Sequence, residues 1–349
     1  MASNKTEDEH LKFPYDIVPI DPEINSELLD FFHGERDGFV QVGPSKYFFA
    51  QNFKNSAEGY YNFEARQSDV WVATFPRSGT TWTQEMVWLI SNNLNFKKAR
   101  DQPLTKRFPF FEFNHCMHPE VKSELLSENA NYPEKQEFIE VISQPGYEFL
   151  KNVTEQRFIK THLPFSLMPT SVMEKKCKVI YVARNPKDVA VSFYYLNRLY
   201  KTQGYVGDFE RYWTYFEKGL NTWMPYWSHI KEGWDNRHHP NVLFLFYEDM
   251  VKDLRKVLTK LSNFLGKELT SEDYENLMNH LNVANFKQNT AINGKEMNDI
   301  GLTIKGEAAF VRKGTVIDGW QAEYSDKLKA RAEKWIRENM EKTGIVFPE

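Results

Sequence analysis

The stretch "DVWVATFPRSGTTW" (Asp69–Trp82) decides how the chain is read. Asp69 to Thr74 is a short β-rich run closed by Phe75-Pro76. From Thr80 to about Leu94 the apolar positions Met86, Val87 and Ile90 recur at helical spacing. Between strand and helix lies Arg77-Ser78-Gly79-Thr80-Thr81. Gly79 gives the backbone freedom to turn consecutive N–H groups onto an anion. Ser78, Thr80 and Thr81 add hydroxyl donors, and the helix behind them adds its positive end. One Ser or Thr would suffice to cap that helix. Three hydroxyls and a glycine beside Arg77 point to a bound anion as well. The loop lacks the G-x-x-x-x-G-K-[ST] lysine, which disfavours ATP or GTP with Mg²⁺.

Three further strands are predicted. They are "RFIKTH" (Arg157–His162), "CKVIYVA" (Cys177–Ala183) and "VLFLFY" (Val242–Tyr247). The second runs into Pro186, placed to open a helix over Pro186–Tyr200. The last precedes a helix starting at Glu248-Asp249, whose acidic residues suit its N-terminus. Near-continuous apolar strands alternating with helices predict a parallel sheet flanked by helices on both faces, in a chain long enough for one large α/β domain or two modest ones. Such sheets bind ligands beyond the carboxyl ends of their strands, where each motif here falls. The net charge of −4 argues against a nucleic-acid partner, which calls for a broad basic face. Two cysteines, Cys116 and Cys177, make no disulfide framework and fit a reducing compartment. The polar N-terminus has no apolar signal region, and no apolar run nears the ~20 residues of a membrane span. These observations predict a cytoplasmic protein with no membrane partner.

"KTHLP" (Lys160–Pro164) puts Lys160 and His162 two apart on an extended chain, so both can face one site. "YVARNPKDVAVSFYY" carries Arg184 at a strand end and Ser192 two helical turns on, and "FVRKG" ends in Arg312, Lys313 and Gly314. Taken in order with the Arg77–Trp82 loop, these four motifs resemble those of the cytosolic sulfotransferases. Those enzymes move a sulfuryl group from 3′-phosphoadenosine-5′-phosphosulfate (PAPS) to a hydroxyl or amine, leaving adenosine 3′,5′-bisphosphate (PAP). The resemblance runs from about Phe13 to Trp320 and implies a single α/β domain over 1–349 with the sulfotransferase fold, a P-loop-like phosphosulfate loop and no metal. It implies that His162 is the general base, that Lys160 and Arg77 steady the transferring group, and that Ser78, Gly79, Thr80 and Thr81 hold the phosphosulfate. Arg184, Ser192, Arg312, Lys313 and Gly314 would bind the 3′-phosphate. Trp82 and Tyr247 would meet the adenine. The family usually has Thr-Ser-Phe where this chain has Leu281, Asn282 and Val283, so Asn282 keeps a hydrogen-bonding role and the stacking phenylalanine is missing. Arg77 stands where the family has lysine. A lepidopteran member, a retinol dehydratase, shares that arginine, and likeness to it implies sulfonation of an alcohol followed by loss of sulfate.

"FPFFEF" (Phe108–Phe113) resembles the family's acceptor-pocket segment, with Phe110 and Phe113 at the matching positions; core packing explains either ring taken singly as well. Between Phe113 and His162 the chain is roughly 25 residues longer than typical vertebrate members, an insertion long enough to be a functional cover. The islands "EFIEVI" and "YEFL" predict an ordered lid over about 114–156. "HCMH" (His115–His118) is too compact for a tetrahedral metal cage. The family's dimer motif is missing after Trp320, which leaves a homodimer of another kind open. The expected activity is sulfuryl transfer to a small hydrophobic alcohol such as a phenol, sterol or retinoid. The alternatives are a dehydratase acting on an allylic alcohol and a non-catalytic PAPS- or lipid-binding relative.

Overall fold

The computed structural model describes residues 11–310 and 320–348. Within them, β1 (Ile17–Pro19), β2 (Phe39–Val42) and β3 (Tyr47–Ala50) pair antiparallel. A second sheet holds β4 (Val70–Thr74), β5 (Phe158–Thr161), β6 (Lys178–Ala183) and β7 (Val242–Phe246), in the order β5-β4-β6-β7 and all parallel. These four are the strands expected from sequence. The small antiparallel sheet was not expected.

The parallel sheet is apolar on both faces. Trp71, Ala73, Ile159, Val179 and Tyr181 pack into one core, while Val70, Val72, Phe158, Ile180 and Val182 pack into another. This period-two division explains why the strands read as unbroken apolar runs. The helix Thr80–Ser91 covers the second face with Met86, Val87, Leu89 and Ile90. The helix Pro186–Leu199 covers the first with Val189, Ala190 and Phe193. At the amino end of the sheet, Arg157 Nε and Nη2 grip both oxygens of Asp69 at 2.8 and 2.5 Å. Thr74, Thr161, Ala183 and Phe246 end their strands at the opposite edge, which is where the anion loop and the Lys160–His162 pair emerge.

The inserted region forms helices Pro119–Glu128, Pro133–Ile142 and Gly146–Leu150. The two apolar islands lie on the last two. Met117, Val121, Leu125 and Ile139 make a separate small core with Ile300 and Leu302. Asn129 Nδ2 donates to Ile300 O at 2.9 Å, and Lys135 Nζ donates to Asp299 O at 2.7 Å. Among the described residues, no helix is long and apolar enough to cross a membrane.

Candidate active site

The loop after β4 makes its turn with two left-handed residues, Arg77 at φ 69° and Gly79 at φ 97°. At Gly79 a Cβ would lie 2.6 Å from Tyr247 Cδ2, so the position excludes a side chain by space as well as by backbone angle. Ser78 is fully buried, and its Oγ has no hydrogen-bond partner among the described residues. A buried hydroxyl left unpaired is costly unless a ligand completes it. Thr80 Oγ1 lies 2.7 Å from Thr74 Oγ1, and Thr81 opens the helix half-buried beside it. Trp82 donates Nε1–H to Leu281 O at 3.1 Å, with its ring 6.1 Å from that of Tyr247.

Arg77 turns toward Ser192, midway along the Pro186–Leu199 helix. Its Nε donates to Ser192 Oγ at 2.9 Å, its Nη2 donates to Phe310 O at 3.1 Å, and its guanidinium lies 5.0 Å from the Phe310 ring centre. Arg184 Nη1 donates to Arg77 O at 3.2 Å, and its guanidinium lies 4.2 Å over the Tyr247 ring. The Nε of Arg184 is buried and unpartnered among the described residues. Two arginines, an orphaned guanidinium N–H and an orphaned hydroxyl therefore converge around one loop. Such a donor set suits phosphate oxygens. Nearby, Glu248 takes the Asn185 N–H at 2.7 Å, and burial pushes its carboxyl up to about 7.

The second half of the site hangs on β5. The segment Phe108–Phe113 lies along that strand: Lys160 N donates to Pro109 O at 2.9 Å and Phe111 N to Lys160 O at 2.8 Å. This places the Phe110 ring 3.9 Å beneath Lys160 Nζ and 5.0 Å from the His162 ring, with Phe113 a further 5.7 Å from Phe110. Burial draws the Lys160 ammonium down to about 8, with the nearby Arg77 assisting and Glu112 opposing. His162 Nδ1 lies 2.8 Å from Thr74 O. A carbonyl only accepts, so Nδ1 carries the proton and Nε2 presents a lone pair. Burial first, and then the charge of Lys160, hold His162 well below the ordinary range, as a neutral imidazole.

Four residues of this arrangement were not foreseen from sequence. Thr74 supplies the carbonyl that selects the His162 tautomer. Trp223 walls the imidazole at 5.2 Å. His229 Nε2 donates to His162 O at 2.7 Å, while its Nδ1 receives the Tyr181 hydroxyl at 2.7 Å. Glu112 is fully buried and accepts the His162 N–H at 2.6 Å. Its only signal in the sequence was an acid set among the rings of "FPFFEF".

Other expected positions lie elsewhere or do other work. The exposed Asn282 caps the helix Val283–Gln288, accepting the Ala284 N–H at 2.9 Å. Arg312, Lys313 and Gly314 fall outside the described residues. The histidines of "HCMH" separate: His115 is buried among Phe49, Phe53 and Trp223, where burial pushes it down to about 3. His118 lies with Glu35 and Asp37, a group whose possible metal-ligand atoms are within 4.8 Å of one another. Its Nδ1 accepts the Glu120 N–H at 3.2 Å, so the neutral ring carries its proton on Nε2, facing Asp37 at 3.2 Å. The lone pair that a metal needs is thus already committed.

Comparison with known proteins agrees with this geometry. Residues 67–344 match the model of the sulfotransferase domain. The luciferin sulfotransferase of Photinus pyralis is 35% identical over 328 residues, 93% of this chain and 84% of that protein. A solved structure of retinol dehydratase with retinol and PAP superposes with a TM-score of 0.90 at 37% identity, covering 97% of this chain and all of the other. Another, with androsterone and inactive cofactor PAP, gives 0.89 at 37% identity, covering 97% and 99%. Strand order, anion loop and sequence likeness thus lead to one conclusion: the chain is an enzyme of the sulfotransferase family.

Proposed function

We propose that the protein takes PAPS as its donor and transfers the sulfuryl group to the hydroxyl of a small hydrophobic acceptor. The observation that carries this reading is the His162 tautomer. With Nδ1–H fixed on the Thr74 carbonyl, Nε2 is free to take a hydroxyl proton. It does so between the Phe110 and Trp223 rings, which favour an apolar acceptor. As the proton passes to Nε2, the acceptor oxygen forms its bond to sulfur. The bond from sulfur to the phosphate oxygen breaks, and PAP leaves. Lys160 and Arg77 hold the charge on the sulfuryl and departing phosphate oxygens. The Ser78–Thr81 donors cradle the phosphosulfate. Arg184 and Ser192, completed by Arg312, Lys313 and Gly314, hold the 3′-phosphate. The helices of about 114–156 act as a lid over the acceptor, and Tyr247 and Trp82 flank the adenine.

The direct test is transfer from radiolabelled PAPS to p-nitrophenol, a sterol and retinol, with wild type beside His162→Ala. Labelled ester is expected with wild type. Loss of a positioned base should slow transfer by about 10²–10⁴-fold in the variant, while PAP binding is retained. Full activity in His162→Ala would refute the assignment.

A second reading has specific support from the likeness to retinol dehydratase and from Arg77. On an allylic alcohol the same transfer would give an ester that ionises to sulfate and an allylic cation, which loses a proton to give an alkene. Labelled free sulfate formed with retinol alone would select it.

A further inference from the structure

Two residues one turn apart on the helix Thr80–Ser91 reach across to two consecutive residues at the end of the helix Ser271–His280. Trp82 donates its Nε1–H to Leu281 O at 3.1 Å. Glu85, three positions on and so on the same face, accepts the His280 Nε2–H on Oε1 at 2.8 Å. Its other oxygen, Oε2, accepts from Arg107 Nη2 at 2.8 Å. Arg107 is itself anchored, with Nε on Gln102 O at 2.9 Å, Nη2 on Ala99 O at 3.0 Å and its guanidinium 4.7 Å from the Trp88 ring centre. One oxygen of Glu85 is thereby fixed and the other is aimed at His280. The Glu85 and Arg107 side chains are almost wholly buried. Burying such a pair carries a desolvation cost that two apolar residues would avoid, so it says little for stability and more for a fixed register. What it registers is the corner at His280 and Leu281, and through Leu281 O the orientation of the Trp82 indole. The neighbouring side chains do not supply that hold. Leu281 is apolar and buried, Asn282 accepts from Ala284 N in the helix it caps, and Phe96 meets His280 ring to ring at 5.2 Å.

We infer that Glu85 and His280 are positioning residues for the adenine of the donor: their hydrogen bond holds the Leu281 carbonyl, and with it the Trp82 ring, where the base is received. The inference rests on the proposed placement of the adenine against Trp82 and Tyr247. The anion loop has supports of its own, since Thr80 Oγ1 lies 2.7 Å from Thr74 Oγ1 and Arg77 Nε donates to Ser192 Oγ at 2.9 Å. Loss of the clamp at His280 therefore acts on recognition of the base and spares that of the phosphates.

The experiment is calorimetric titration with PAP and, by displacement of PAP, with methyl ribofuranoside 3,5-bisphosphate, which keeps both phosphates and lacks the base. In His280→Ala the affinity for PAP should fall by about tenfold, the loss of one charge-assisted hydrogen bond. The base-free bisphosphate should bind as it does to wild type. KM for PAPS should rise with the loss of affinity, and kcat should change less. His280→Gln keeps an N–H donor at the reach of Nε2 and should restore the affinity for PAP, whereas the shorter His280→Asn should not. Equal losses for the two ligands, no loss for PAP, or no difference between the Gln and Asn variants would overturn the inference. If His280→Ala does not fold, the Gln and Asn variants decide the matter alone. Trp82→Ala separates the clamp from the reading beneath it. If that variant binds PAP as tightly as wild type, the placement of the adenine fails and the inference with it. If it weakens PAP and His280→Ala does not, the clamp alone is refuted.

Discussion

At Gly79 a single absent methyl group sets the form of the anion loop. The residue stands at φ 97°, and any Cβ would press on the Tyr247 ring, the same ring that Arg184 covers. Gly79→Ala is therefore expected to weaken PAP binding more than about tenfold, a cost above ~1.4 kcal/mol, and to lower Tm. Gly79→Ala with Tyr247→Ala should recover thermal stability only in part, since the backbone strain remains. Calorimetric titration with PAP and a melting curve on each variant would check both. Residues whose placement follows from local spacing were legible in the sequence. Lys160 and His162 share a strand face, and Ser78–Thr81 surround a glycine. Glu112 and Trp223 were not, because their meaning comes from pairing across the fold: the His162 N–H and the Trp223 indole reach Glu112 from 50 and 111 positions away. Asn282 was read as a ligand for the nucleotide, but its side chain has a local partner in the helix it caps. Short polar side chains before a helix commonly serve that end.

Among the elements, the four parallel strands were readable because both faces are buried and nearly every position is apolar. β2 and β3 escaped notice because they are four residues each, and β3 is buried at all four positions, so no alternation marks it. The length of the inserted region was visible too. Its attachment was not, since the small core it makes draws on Ile300 and Leu302, far along the chain. That core gives the proposed lid a testable mechanics. It is joined to the body by that cluster, by Cys116, Tyr147 and Leu150 in the main core, and by polar contacts that include Lys201 to Glu128 at 3.1 Å. Removing Ser123–Tyr147 should raise KM for large apolar alcohols while PAP affinity is kept. A steady-state comparison of retinol with p-nitrophenol would show whether the loss grows with acceptor size. An equal effect on both would argue that the helices do not cover the pocket.

Across the whole molecule, the sheet joins two apolar cores, and its amino end is locked by Asp69 and Arg157. Both side chains are almost completely buried, with exposures of 0% and 1%. Breaking one partner leaves an uncompensated buried charge, so Asp69→Asn should cost about 3–5 kcal/mol and lower Tm. It lies far from the loop edge, so the residual folded fraction should keep its PAP affinity. Chemical denaturation and titration would separate the two effects. A longer chain of contacts crosses the same interior. The Tyr181 hydroxyl meets His229 Nδ1, His229 Nε2–H meets the His162 carbonyl, and His162 Nδ1–H meets the Thr74 carbonyl. At His162 Nδ1 a second oxygen stands within reach, the Thr74 hydroxyl at 3.1 Å, itself 2.7 Å from the Thr80 hydroxyl. On the proposed reaction, a proton taken up at Nε2 leaves an imidazolium whose Nδ1–H stays on the Thr74 carbonyl, with that hydroxyl pair beside it. The base of that reaction therefore has two ways back to its working form: through Nε2 to water once the organic molecule has gone, or inward along the Thr74 and Thr80 hydroxyls while it is still bound.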